Sequence, residues 1–295
     1  MNRRKRNLER LFSKTEAQYC KSNETINITR GKKKIVSISL FALQNKSIRE
    51  KLNKELDSIN FPMDWSKYLK IKPNLNKVIY SWGSNRKILE EKEQELHKLY
   101  KEYNNCTRCS LHRHANLKVF GCGNTNADIM LIGEAPGKEE DINGIPFCGR
   151  AGNVLDEALQ FSKLSRINVY ITNVVCCRPP NNRAPEDIEI ESCKDRLTKT
   201  INIIKPKIII LLGNIACETL LNLSNITTRH GTHHKKDRFD YLLSVHPAWV
   251  IRGESEIEQK HGISRKEMLQ NIFIQAKQLL KKKKNSFKLS IFKRL

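Results

Sequence analysis

The chain has 295 residues and carries 54 Lys and Arg against 31 Asp and Glu, a formal charge of +23 with a pI of about 9.7. It can bury one sizeable domain plus an appendage, or two small domains, and its charge favours a polyanionic partner, nucleic acid before membrane. No apolar run approaches the roughly 20 residues that span a bilayer, and the basic opening Arg3-Arg-Lys-Arg6 leads into a charged mixture rather than the apolar core of an export signal.

Residues 1–95 are rich in Lys, Arg and Asn with scattered aromatics and hold no catalytic motif. The runs at 3–6 and 32–34 read as solvated charge before they read as phosphate-binding arms. Residues 59–80 have enough apolar side chains for a small packed unit. From 86 to 103 the spacing of Ile88, Leu89, Leu96, Leu99, Tyr100 and Tyr103 predicts an amphipathic helix that leads into a second region.

The first clear strand is predicted over 128–133, where Ile129-Met-Leu-Ile132 empties into the tight turn Gly133-Glu-Ala-Pro-Gly137. A helical stripe follows at 152–163, then a strand at 168–175. A long helix starts after Pro185, with Ile190, Cys193, Leu197, Ile201 and Ile204 on its buried side. Residues 207–212, nearly all Ile and Leu, predict a strand covered on both faces. A helix at 214–223, a strand at 241–245 and a helix at 268–280 complete the series. This alternation predicts a three-layer α/β/α sandwich around a four-stranded parallel sheet. The domains expected are a basic extension (1–95), the α/β domain (96–281) and a basic tail (282–295).

In a parallel sheet the carboxyl ends of the strands share one edge, where open α/β sheets bind ligands. Glu134, Asn173 and His246 would meet there as carboxylate, amide and imidazole, and Phe147 on the loop after the first strand could cap the pocket with its ring. Four acidic residues at 134–141 (Glu134, Glu139, Glu140, Asp141) stand out in so basic a chain. Taken singly, Glu134 could cap a turn, Asn173 could pin a loop and His246 could be a satisfied histidine before a proline.

Four motifs in register, Gly133-Glu-Ala-Pro-Gly-Lys-Glu-Glu-Asp141, Gly144-Ile-Pro-Phe-Cys-Gly-Arg-Ala-Gly152, Thr172-Asn-Val-Val-Cys-Cys-Arg-Pro-Pro180 and His246-Pro-Ala-Trp-Val-Ile-Arg252, resemble those of the iron-sulfur uracil-DNA glycosylases, family 4. The resemblance covers about 105 to 280. It implies an enzyme that flips uracil out of DNA and hydrolyses its glycosidic bond. On matching positions it places Glu134 and His246 in catalysis, Phe147 as the stacking ring, Asn173 on the Watson-Crick edge and Gly133 in the uracil pocket. Glu140 matches a position near uracil C5, where it would exclude thymine.

Nine cysteines without an export signal argue for a reducing compartment, in which clustered thiols more often hold metal than pair. Cys106, Cys109, Cys177 and Cys193 match the family's ligands to a 4Fe-4S cluster. Soft thiolates also suit zinc, and spacing does not separate the two. Cys176 competes with Cys177 for the third place; Cys20, Cys122, Cys148 and Cys217 are read as non-ligands. The resemblance further implies uracil-containing DNA as partner, single- or double-stranded, no membrane, a monomer, and a cytoplasmic, nucleoid-associated bacterial protein. The alternative is a DNA-damage-binding module on the same fold, either without catalysis or trapping DNA covalently. The covalent relatives would have Gln at 135 and a basic insert between the third and fourth cysteines. This chain has Ala135 and no insert, and Thr232-His-His-Lys-Lys236 is only loosely similar and lies elsewhere.

Overall fold

The computed structural model describes residues 15–20, 25–30, 33–39 and 86–292, apart from 254, 255 and 259. The chain divides into two compact units, Met1–Asn104 and Asn105–Leu295. In the first, β1 (Thr15–Cys20), β2 (Thr25–Arg30) and β3 (Lys33–Ser39) form an antiparallel sheet in that order. The helix read from its stripe is α1 (Arg86–Asn104). The packed unit expected at 59–80 and the basic run at 3–6 lie outside the described residues.

In the second unit the order is β4 (Cys122–Gly123), β5 (Ile129–Gly133), α2 (Lys138–Asn143), α3 (Arg150–Phe161), β6 (Val169–Asn173), α4 (Asp187–Ile204), β7 (Ile208–Leu212), α5 (Asn214–Leu221) and α6 (Ile226–Arg229). Then come β8 (His233–Lys236), β9 (Phe239–Ser244), α7 (Pro247–Ile251), a short hairpin of β10 (Ile257–Glu258) and β11 (Ile263–Ser264), and α8 (Arg265–Phe292). The sheet order is β4-β6-β5-β7-β9-β8. The four central strands are parallel, as the unbroken apolar runs of β5 and β7 predict. Two antiparallel strands, β4 and β8, extend the expected four-stranded sheet to six at its edges.

Every residue of β5, β6, β7 and β9 is buried. Ile129, Leu131, Val169, Ile171, Ile208, Ile210, Leu212 and Leu242 pack with Leu155 and Leu159 of α3, Val250 of α7 and Leu269, Ile272 and Phe273 of α8. Side chains alternate between the faces of a sheet, so the intervening Met130, Ile132, Tyr170, Thr172, Ile209 and Leu211 face the other way. There α4 lies: its Arg196 reaches Thr172 of β6. These are the three expected layers.

The buried stripe of α4 differs from an apolar reading in an informative way. Cys193, Leu197, Ile201 and Ile204 are buried as predicted, but Ile190 is only partly buried and Glu189, Arg196 and Thr200 complete the stripe. The two charged residues are fully covered because each is held by partners. Among the described residues, no helix is long and apolar enough to cross a membrane.

Candidate active site

Parallel register fixes the edge on which the site is built. Gly133 pairs with Asn173 at the ends of β5 and β6, Val174 N–H donates to Gly133 O (2.9 Å) and Val175 N–H to Glu134 O (3.2 Å). From the end of β9 the chain turns through Val245 to His246, which caps α7. Gly213, closing β7, donates to Ser244 O (2.9 Å), and a Cβ at Gly213 would lie 3.1 Å from the His246 Cβ.

The amide and the ring converge over Gly133. A Cβ there would lie 2.4 Å from Asn173 Oδ1 and 2.5 Å from Phe147 Cζ, so only glycine lets both approach the strand end. Asn173 is 1 % exposed and its Oδ1 has no hydrogen-bond partner among the described residues. A buried acceptor left unsatisfied costs about 1–3 kcal/mol, so this oxygen is the one side-chain acceptor of the strand end open to a donor from outside the described residues. The Phe147 ring is 5.6 Å from the His246 ring, tilted by 35°.

His246 is placed as a neutral donor. Its Nδ1 accepts from Ala248 N–H (3.1 Å), which puts the proton of the neutral ring on Nε2. The residue is only partly exposed, and burial, with Arg252 adding a like charge, lowers its pKa to about 4. Glu134 is also partly buried, and burial raises its carboxyl above the ordinary range. That makes it a better proton acceptor once ionised.

The acidic cluster of the sequence separates into different tasks. Glu140 accepts from Gly137 N–H (3.1 Å) through one oxygen and from Gly149 N–H (2.9 Å) through the other, joining the start of α2 to the loop that carries Phe147. Asp141 accepts from the backbone N–H and side-chain amide of Asn116 (2.9 and 2.5 Å). Glu134 stands directly after β5 with a carboxyl raised by burial.

The predicted thiols lie in one neighbourhood. Ser192 Oγ donates to Arg108 O (3.3 Å), Ser110 Oγ to Glu189 Oε1 (3.3 Å), and Arg108 approaches Asp195 (3.9 Å), laying Cys106–Cys109 along the first turns of α4 beside Cys193. Cys109 is raised by burial and further by the nearness of Cys193, Glu189 and Cys106. The Cys176 thiol shares hydrogen bonds with Cys177 and Cys193, and its pKa is pushed up to about 12, the Cys177 contact being the main cause. All eight described cysteines are free. Among the described residues, no three His, Cys, Asp or Glu side chains close on a point that would hold a single ion. Uncrosslinked thiols crowded together are the donor chemistry a multi-iron cation would neutralise: Cys106 and Cys109 lie beside Cys193, and Cys193 lies against Cys176, next to Cys177. Cys122, Cys148 and Cys217 are raised mainly by burial. Cys122 and Cys148 lie near Arg166, and Cys217 is on α5, apart from this set.

Residues that the sequence did not flag hold the site together. Arg196, 0 % exposed, donates to the backbone oxygens of Asn173 and Val174 (2.7 Å each) and to Thr172 Oγ1 (3.1 Å). Arg183 grips Glu189 with two bonds (2.8 and 2.7 Å) and so folds 178–186 back onto α4. The His-His-Lys-Lys segment forms the outermost strand, where His233 is bonded to Asp240 (2.6 Å).

Residues 120–273 match the family model of the uracil DNA glycosylase superfamily. The chain is 39 % identical over 167 residues to a type-4 uracil-DNA glycosylase of Archaeoglobus fulgidus, covering 54 % of this chain and 84 % of that protein. A Pyrobaculum aerophilum protein of the same name is 47 % identical over 130 residues, 44 % of this chain and 65 % of its own. One from Thermotoga maritima is 39 % identical over 156 residues, 51 % and 80 %. The matched span is the one that carries the strand-end carboxylate, amide and imidazole, and by it the chain belongs to the uracil DNA glycosylase superfamily, among its type-4 members.

Proposed function

We propose that this protein is a monofunctional uracil-DNA glycosylase that removes uracil from single- or double-stranded DNA as a monomer and leaves an abasic site. The observation that carries this reading is the buried, unpartnered Asn173 Oδ1 beside the Phe147 ring. Uracil offers a donor at N3 and an acceptor at O4, which suit Oδ1 and the amide NH2 of Asn173. Cytosine reverses both and would leave the amide mismatched. Stacking on Phe147 holds the flipped base, and Gly133 admits it. Glu140 serves the C5 side of the base through loop 147–149, which it holds by the Gly149 N–H.

As C1'–N1 breaks, the electron pair leaves with the base and collects at O2, where the Nε2–H of a neutral His246 stabilises it. A water oxygen bonds to C1' and gives a proton to Glu134, whose negative charge offsets the oxocarbenium character of the sugar. None of the residues placed in the site, Gly133, Glu134, Glu140, Phe147, Asn173 and His246, is a lysine that could form a Schiff base, so the strand is left uncut. Cys106, Cys109, Cys177 and Cys193 would hold a 4Fe-4S cluster. Bound there, the cluster supplies a cross-link between 106–109 and 177–193. The +23 charge supplies phosphate contacts, so binding falls steeply with salt.

An end-labelled oligonucleotide with one uracil tests the reaction. Strand breaks should appear only after alkali, and an intact strand after alkali at excess enzyme would refute the assignment. A band that survives denaturation would favour covalent trapping instead.

A further inference from the structure

We propose that Arg166 is a positioning residue for uracil recognition: with Asp156 it clamps the main chain at Pro146–Phe147 in the conformation that aims the Phe147 ring at the base. The proposal rests on the reading of Phe147 as the stacking ring. Phe147 has φ +53°, the left-handed region that is costly for a residue with a Cβ and persists only where the surroundings impose it. The surroundings here are specific. Arg166 Nη1 donates to Pro146 O (3.0 Å), its Nη2 donates to Phe147 O, and its Nε donates to Asp156 Oδ1 (2.7 Å). The Arg166 and Asp156 side chains are only 21 % and 13 % exposed.

The other side of the slot is Gly152. A Cβ on it would fall 1.7 Å from Phe147 O and 3.2 Å from Arg166 Nη2. Gly152 and Asp156 are one turn apart on the same face of α3. The helix therefore offers, in one stripe, a gap that admits the Phe147 carbonyl and a carboxylate that orients the guanidinium across it. Arg166 approaches from the short turn before β6, so the main chain that carries the stacking ring is fixed from two elements, this turn and α3. Only a planar fork serves two carbonyls and a carboxylate at once; an ammonium on the same stem is a single point charge.

The test is a double-mutant cycle read as the inhibition constant of free uracil, with KM and kcat measured on uracil-containing DNA. Phe147→Ala should raise the uracil inhibition constant about 10- to 100-fold, the range for loss of base stacking. Arg166→Met should raise it about 10-fold, with a matching rise in KM and little change in kcat. In the Phe147→Ala background Arg166→Met should add less than about 2-fold, because the ring through which it acts is gone. Arg166→Lys keeps the ion pair but not the fork, and should resemble Arg166→Met. If Arg166→Met does not fold, the lysine variant carries the same cycle. Equal losses in both backgrounds, an unchanged inhibition constant in the Arg166 variants, or full rescue by lysine would overturn the clamp while leaving the stacking role intact. An unchanged inhibition constant in Phe147→Ala itself would overturn both.

Discussion

Neutrality of His246 can be tested through stability. Burial lowers its pKa to about 4, whereas a histidine in the unfolded chain titrates near ~6.5. Between these values the unfolded chain takes up a proton that the folded one refuses. Stability is therefore full above about pH 6.5 and declines as pH falls, until the folded ring also protonates near 4. From pH 7 to pH 5 this one group removes about 2 kcal/mol. The perturbation is His246→Asn, which removes the titration while keeping a side chain able to accept from Ala248 N–H at the cap. Urea unfolding followed by tryptophan fluorescence at pH 7, 6 and 5 should bring the two proteins together, or reverse their order, by roughly 2 kcal/mol at the acid end. His230, which burial also lowers to about 4, is present in both proteins and cancels in the difference. Parallel curves would refute the reasoning: they would mean that His246 titrates as a solvated ring and is no preset neutral donor.

Other expectations follow from the same geometry. Gly133→Ala drives a methyl into Asn173 Oδ1 and the Phe147 ring; turnover should fall about 100-fold, while circular dichroism shows the fold retained. Arg196→Met leaves the backbone oxygens of Asn173 and Val174 without their charged donor; a loss of roughly 3 kcal/mol in urea unfolding is expected, and an unchanged midpoint would show that those oxygens find other partners. Cys193→Ser should abolish visible colour and iron content and lower the melting temperature, whereas Cys217→Ser, on α5, should leave the colour and iron in place. Zinc in the purified protein in place of iron would overturn the cluster assignment.

Much of the fold was legible because its signals are those of buried parallel strands. Ile129–Gly133, Val169–Asn173 and Ile208–Leu212 end within a residue or two of where apolar runs place them. The edge strands were not legible. Cys122–Gly123 is too short to show alternation, and His233–Lys236 is polar throughout because little but its backbone is needed for pairing. The helix Lys138–Asn143 escaped for a related reason: its caps are made by Glu140 and Gly144 rather than by an apolar stripe. Strand ends also gave the convergence of Asn173 and His246 near Gly133 and Phe147, since a parallel sheet takes distant residues to one edge. What the sequence could not reveal was the support. Arg166 and Arg196 look like surface cations until the carbonyls that accept from them are seen, and Gly152 looks like any helix glycine until Phe147 O is found against it.

The lone acceptor at Asn173 has a consequence for how this protein can evolve. A leucine or methionine in its place would remove a buried amide whose Oδ1 the described residues leave unbonded, and selection for hardiness alone would move that way. The amide persists only while excision of the base confers an advantage. Laboratory selection for heat resistance without a repair requirement should therefore erode position 173 early, yielding a sturdier protein that no longer mends DNA.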